Sequence, residues 1–302
     1  MARVSSRAVE SVNFDRAARY YDATRALPAE ATVAVTELLA AELGDRQPCL
    51  EIGVGTGRIA LPVRARGIEL AGADISGAML RQLLANAADG DLALPVLQAD
   101  ATRLPFAARS FGSVLAVHVL HLIPDWRIAV DEAVRVLRPR GALLASFPGY
   151  LRGVARPGSV PGADGDRGPG PEQAAEPDPA AIGLTRDRRA PWSEAVRVTA
   201  RRHGMVRVQV GARDPMMVSA YLADRADARE LEPVTVHAAT TLGETLDHIE
   251  HQLFSWTWPY TAQQAAAVAA EVRDWAAAAG LPLDTAHETE SLVRWWAFEL
   301  TA

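Results

Sequence analysis

Glu51, Asp74 and Asp100 are carboxylates that each sit at or beside the end of a short apolar run, and His118 and His121 follow a fourth run of the same kind. Between the first two carboxylates lie Gly53, Gly55 and Gly57 on alternate positions. Glycine has no Cβ, so a trio of this kind lets the backbone turn sharply and approach a ligand closely. A buried strand over 48–52, the glycine turn, and a helical pattern from Arg58 through Ile59, Leu61, Pro62 and Val63 would put unpaired helix N–H groups at the mouth of a parallel sheet, which is a nucleotide cradle. The dinucleotide pattern G-x-G-x-x-G requires its third glycine at position 58, where this chain has Arg58. Glu51, two residues before the first glycine, suits a ligand carrying an ammonium group better than one carrying only phosphates.

The elements that must position these groups follow from the pattern of apolar residues. A short amphipathic helix is expected over 13–25, with Phe14, Ala17, Ala18 and Tyr21 at helical spacing. A second helix, over 28–43, opens on Pro28 and stops at Gly44. Tyr20, Tyr21 and Asp22 stand upstream of the cradle, where the tyrosines could contact a ligand or seal the sheet edge. A second strand over 68–76 ends in Asp74, which follows Gly57 by one strand–helix–strand repeat; a carboxylate there can accept from both ribose hydroxyls. Ser76 is the expected N-cap of the next helix, and Ile75 and Met79 could floor a purine or simply belong to the core. A third strand over 95–98 leads to Asp100, placed to accept from an adenine amine, followed by Ala101 and Thr102. A fourth strand over 114–117 brings His118 and His121 to the carboxyl edge, where ligands of such sheets lie. A helix over 125–137 and a fifth strand over 142–147 complete this region.

Composition bounds the remaining possibilities. The chain has 302 residues, 49% hydrophobic and 23% charged, with a net charge of −6, which describes an ordinary globular protein. All 31 basic residues are arginine, so lysine Schiff-base and lysine general-base chemistry is unavailable. No basic stretch interleaved with aromatics suggests a nucleic-acid surface. Cys49 is the only cysteine, which excludes an intramolecular disulfide and a C-x-x-C site. No apolar stretch has the length of a membrane span and no signal-peptide core opens the chain, so a cytoplasmic location is expected.

In order and spacing, Glu51-Ile-Gly-Val-Gly-Thr-Gly57, Ala73-Asp74-Ile-Ser76, Gln98-Ala-Asp100-Ala-Thr102, Val117-His118-Val-Leu-His121 and Val136-Leu-Arg-Pro-Arg-Gly141 resemble the core of class I S-adenosylmethionine-dependent methyltransferases. The likeness is to the small-molecule group of methyltransferase type 11, with a ubiquinone-methylase-like core, and it covers about a third of the chain strongly. It implies an α/β fold, Rossmann-like, with a seven-stranded mostly parallel sheet, helices on both faces and a last antiparallel strand. It implies S-adenosyl-L-methionine as cofactor: the glycine loop on the methionine moiety, Asp74 on the ribose, Asp100 with Ala101 on the adenine, and the backbone near His118 on the amino group. Arg140 departs from the family's usual Gly-Gly turn and should change only the local backbone.

Beyond this core, residues 149–179 are dense in Gly, Pro, Asp and Arg and read as a loop or linker. Helices are expected over 192–203, 215–226, 242–254 and 263–279, a sixth strand over 231–238 and a last strand over 291–300. His248 and His251 are i,i+3 neighbours, but no third ligand accompanies them and no metal is expected. Trp192 and Trp256, with Tyr20 and His121, are candidate substrate contacts, since aromatics can wall an apolar pocket or serve as core. The expected organisation is 1–48 as helices covering the cofactor mouth, 49–148 as the cofactor core, 149–180 as the loop, 181–262 as a substrate-side cap, and 263–302 completing the core.

These readings converge on methyl transfer from S-adenosylmethionine to a small apolar or aromatic acceptor at O, C or N, by direct displacement. The expected partner is that acceptor, without nucleic acid or membrane, and the protein is expected to be a monomer or homodimer. His121 is the first candidate for a base, with His251 behind it. The rival readings are a protein that binds the cofactor without transferring its methyl, and a nicotinamide-dependent oxidoreductase, which Arg58 disfavours.

Overall fold

A computed structural model describes residues 11–147, 190–206 and 210–301; the loop expected at 149–179 lies outside them. Strands β1 (Cys49–Ile52), β2 (Leu70–Asp74), β3 (Val96–Gln98), β4 (Phe111–Val117), β5 (Leu137–Ser146), β6 (Ala226–Glu230) and β9 (Trp295–Leu300) form one sheet in the order β3-β2-β1-β4-β5-β9-β6. Strands β1 to β5 are parallel where they pair, and β9 runs antiparallel to both β5 and β6. The crossovers from β1 to β2, from β2 to β3 and from β4 to β5 each carry a helix, and both faces are covered: one core layer holds Leu50, Ile52, Val114 and Ala116, the other Cys49, Leu70, Leu115 and Leu144. The mean helix-to-strand order is the doubly wound one anticipated for alternating β and α patterns.

The helices begin where local chemistry allows. Helix α2 (Ala29–Leu43) starts after Pro28 and ends at Gly44. Helix α3 (Ala60–Ala65) follows the glycine turn. Helix α4 (Gly77–Asp89) is capped by Ser76, whose hydroxyl accepts from the Met79 N–H at 3.1 Å. Helix α5 (Trp126–Val136) passes directly into β5. Arg140, at the turn where the related family places glycine, adopts φ +61°, so the left-handed backbone is kept with an exposed side chain on it.

A second layer follows β5. Helices α6 (Ser193–Arg202), α8 (Leu242–Glu250) and α9 (Ala262–Ala278) bury Ala200, Leu246, Ile249, Val268 and Val272 against one another. Capping boxes start both α8 (Thr241, Glu244) and α9 (Thr261, Gln264).

Four expectations are corrected. The helix expected over 13–25 is a single 3₁₀ turn at Asp15–Ala17 followed by the short α1 (Tyr21–Arg25). Helix α7 (Pro215–Tyr221) stops before residue 226, because Ala226 already pairs with Leu300 in the sheet. The strand expected over 231–238 is not the sixth of the main sheet. It is β7 (Val234–Thr240), which pairs with β8 (His287–Val293) in a separate two-stranded ladder. The single strand expected over 291–300 is therefore two, divided at Arg294, whose guanidinium pairs with Glu230.

Candidate active site

The three glycines after β1 all have left-handed backbones, with φ +67°, +58° and +83° at Gly53, Gly55 and Gly57. Their surroundings differ. A Cβ on Gly53 would lie 2.4 Å from Val119 Cγ2, and one on Gly57 2.9 Å from Leu61 Cγ, so both serve close packing. A Cβ on Gly55 would meet nothing within 4 Å. Bare backbone therefore faces open space at the centre of the turn, as a cradle requires.

Asp74, at the tip of β2, fixes that turn: its Oδ2 accepts from Gly55 N–H and its Oδ1 from Ser76 N–H, each at 2.8 Å. Burial nevertheless pushes its pKa up. Glu51 is 2% exposed and its Oε2 has no partner. Desolvation pushes its pKa up to about 8, opposed by the Arg58 charge and assisted by Asp74. A buried carboxyl without a partner is the feature a ligand's cation would satisfy. Asp100 holds Thr102 by N–H and hydroxyl through one oxygen, Oδ1, both at 2.8 Å. Its second oxygen remains for a ligand donor. Met79 is buried and Ile75 and Ala101 are half-buried beside these groups.

At the end of β4, His118 adopts φ +49° and its N–H donates to Ser146 O at 2.9 Å, so its carbonyl alone can serve an incoming amino group. Burial and the Arg58 charge lower its pKa to about 3. His121 sits in a 3₁₀ turn, its pKa lowered to about 4 by burial, with Nδ1 buried and unpartnered. Both rings are neutral at ordinary pH. The segment between α6 and α7 closes on this turn: Ala212 N–H donates to Leu120 O and Gly211 N–H to His121 O, and a side chain on Gly211 would strike Leu120 O at 2.0 Å.

Residues 14–25 strap across the glycine turn, a function that helical periodicity alone did not reveal. Asp22 accepts from Thr56 Oγ1 in the turn and from Asn86 Nδ2 on α4, while Asn86 also donates to Thr56 O. Arg58 donates to Arg25 O at 2.9 Å, and Asp15 accepts from Ser76 Oγ at 2.6 Å. Tyr21 is packed close enough to Arg58, Arg25 and Asp74 to feel their charges, and burial raises its pKa. The strap leans on the helical layer: Phe14 meets Trp258 edge-on at 4.8 Å, and the Arg25 guanidinium lies 5.0 Å from the Phe254 ring centre. Asp22 is singled out by the sequence with Tyr20 and Tyr21 ahead of the cradle, whereas its partner Asn86 and the Arg25–Arg58 contact are not anticipated. The Tyr-Asp pair ahead of the cradle was the available signal.

The structure does not bring the remaining candidates to the strand tips. Trp192 is 3% exposed in the core of the helical layer, edge-on to His287, so it packs rather than walls a pocket. His251 is exposed, and its Nδ1 bonds Asp247 O of its own helix at 2.9 Å, so it faces away from a shared proton. Trp256 is half-buried and stacks on Phe254, and Tyr20 is half-buried in the strap near Arg25. Among the described residues no group of three His, Cys, Asp or Glu could hold a metal ion, and no helix is long and apolar enough to cross a membrane.

A doubly wound sheet, a left-handed glycine turn and strand-tip carboxylates together define an α/β protein with the frame expected of a nucleoside cradle. Residues 50–145 match the methyltransferase domain family. Over 142 residues the chain is 34% identical to the demethylmenaquinone methyltransferase of Clavibacter sepedonicus, covering 44% of this chain and 56% of that one. Over 131 residues it is 37% identical to the 27-O-demethylrifamycin SV methyltransferase of Amycolatopsis mediterranei, covering 41% and 47%. The chain thus spans about half the length, or less, of the curated relatives it matches. Among solved structures, the YcgJ protein of Bacillus subtilis shares the fold, with a TM-score of 0.51 at 16% identity over 89% of this chain and all of that one. Residues 50–145 thus match a methyltransferase domain laid on a doubly wound sheet, in agreement with the resemblance to S-adenosylmethionine-dependent methyltransferases that the motifs carry.

Proposed function

We propose that this protein transfers the methyl group of S-adenosylmethionine to a small apolar or aromatic acceptor. The observation that carries the reading is the open space over left-handed Gly55 beside the buried, unpartnered Glu51 carboxyl. In this reading Glu51 and the His118 carbonyl face the cofactor's amino group, Asp74 its ribose hydroxyls, and Asp100 with the Ala101 N–H its adenine. Ile75 and Met79 lie against the purine, Thr102 orients Asp100, and Tyr21 closes the mouth from the strap. The cofactor supplies a sulfonium leaving group, so the protein's task is to align the acceptor and exclude water; alignment of this kind is worth up to about 7–11 kcal/mol in favourable cases. Neutral His121, with its free Nδ1, accepts the proton of a hydroxyl acceptor as the new bond forms. The names of the two curated relatives, a demethylmenaquinone methyltransferase and a 27-O-demethylrifamycin SV methyltransferase, support a small-molecule acceptor.

The test is calorimetry with S-adenosylhomocysteine, followed by transfer of labelled methyl into a panel of aromatic metabolites. Uptake of the ligand by the native protein and its loss in Asp74→Ala is the expected result. Equal binding by both would overturn the reading.

A further inference from the structure

A buried polar atom without a hydrogen-bond partner is uncommon in folded proteins, because its lost hydration is not replaced. In this molecule several such atoms gather at the carboxyl edge of the sheet. Glu51 Oε2 and His121 Nδ1 already have roles in the proposed reaction. Ser146 Oγ and Trp295 Nε1 do not.

Ser146 is the last residue of β5 and Trp295 the first of β9, and the two stand directly opposite one another in the antiparallel ladder. Opposed residues share a face, with Cβ atoms about 4.5–5.5 Å apart. That face is the one of Cys49, Leu115, Leu144 and Trp295, so strand alternation places Glu51 and Val117 on it as well. Ser146 and Trp295 are 3% and 1% exposed, yet the hydroxyl does not accept from the indole. Trp295 belongs to the apolar cluster that holds Leu144 and Leu231, with Val117 packed against it. Arg294 belongs to the opposite alternation and its guanidinium is paired with Glu230. An indole N–H can only donate, which excludes an ammonium as its partner.

Resting on the cofactor reading above, we propose that Ser146 and Trp295 form a two-donor subsite for an uncharged carbonyl oxygen of the methyl acceptor. The acceptor class is then an apolar or aromatic ketone rather than an ammonium compound or a plain hydrocarbon.

The experiment titrates 1-acetylnaphthalene and 1-ethylnaphthalene, matched in size, into the full chain saturated with S-adenosylhomocysteine. The ketone should bind about tenfold more tightly, the worth of one to two net hydrogen bonds. Ser146→Ala and Trp295→Phe should each reduce that preference while leaving the affinity for S-adenosylhomocysteine unchanged. Without ligand, Ser146→Ala should melt at or above the native temperature, since it removes an unsatisfied group. Equal binding of the two probes, failure of both to bind a protein that does take up S-adenosylhomocysteine, or an undiminished preference in both variants would overturn the subsite alone. A clear fall in the melting temperature of unliganded Ser146→Ala would also overturn it, by showing the hydroxyl already satisfied. If S-adenosylhomocysteine itself does not bind, the cofactor reading fails and the subsite falls with it.

Discussion

With Glu51 facing the cofactor's amino group as proposed, cofactor binding should be a proton-linked event. In the unliganded protein its carboxyl is pushed up to about 8, so at pH 7 only about one molecule in ten carries the charge. An ammonium group brought against Oε2 favours the ionised form, and the carboxyl then gives up its proton on binding. Calorimetry of S-adenosylhomocysteine in buffers of different ionisation enthalpy should therefore register release of up to about 0.9 proton at pH 7. Ionising the group at pH 7 opposes binding by about 1.4 kcal/mol, one pKa unit, so affinity should rise severalfold to about tenfold per pH unit between about pH 6 and 7.5. Glu51→Gln keeps the shape and removes the titration. It should bind more weakly by about 1.5–3 kcal/mol, the range of a hydrogen bond to a charged group, and its affinity should be flat over the same pH window. Native protein that binds with no proton release and no pH dependence would refute the placement of Glu51 against the ammonium.

The glycines separate packing from binding. Gly53→Ala should lower the melting temperature more than Gly55→Ala, because only its Cβ collides with Val119, whereas Gly55→Ala should abolish cofactor uptake by filling the open cradle at a backbone cost of about 1–2 kcal/mol. Asp22→Ala releases both Thr56 and Asn86, so the strap should loosen and S-adenosylhomocysteine affinity fall about tenfold, read by calorimetry alongside faster amide exchange over residues 14–25. For His121, whose pKa is lowered to about 4, the rate with a hydroxyl acceptor should be flat from neutrality down and decline only as pH approaches that value. His121→Ala should slow such an acceptor by about 10²–10⁴-fold, and an unchanged rate at every pH would remove the base assignment.

The strand–turn–helix core was legible because its signals are local and redundant. Apolar runs, glycines at fixed offsets and a serine cap all point to one topology, and β1, β2, β4 and β5 fall where those signals place them. The edge was not legible. Strand β6 reads Ala-Asp-Ala-Arg-Glu and buries only small side chains, so it lacks the bulk that marks a strand, while β7, with Val234 and Val236, shows the stronger alternation in a ladder outside the main sheet. Residues 291–300 read as one strand because apolar and aromatic side chains run through both halves; the division falls at Arg294, which pairs with Glu230. The same limit applies to the site. Residues within the motif come together, but Asp22 reaches Asn86 across 64 positions and Arg25 meets Phe254 across the helical layer, and such distant pairings leave no trace in spacing. Trp192 is as aromatic as a pocket wall should be, and only its burial assigns it to the core.

The groups that prepare the site also set how the unliganded protein responds to pH. Glu51 has its pKa raised in the folded state, so the stability it contributes is fully present below the unfolded value of 4.5 and is lost as pH climbs towards about 8. His118 and His121 have theirs lowered to about 3 and about 4, so their contribution is present above the unfolded value of 6.5 and is lost as pH falls towards the folded ones. Near pH 6.5 the three linkages meet. Above it Glu51 alone costs about 1.4 kcal/mol per unit, or about 2 kcal/mol by pH 8; below it the two histidines outweigh Glu51, with a net loss of about 1.4 kcal/mol per unit down to pH 4.5. The empty protein should therefore melt highest near pH 6.5. Saturating S-adenosylhomocysteine holds Glu51 ionised and should abolish the fall on the alkaline side while leaving the acid side in place. Equal melting temperatures of the unliganded protein at pH 6.5 and 8 would mean that Glu51 is already satisfied without a ligand, and the buried carboxyl would then be a structural group rather than the receptor for a cation.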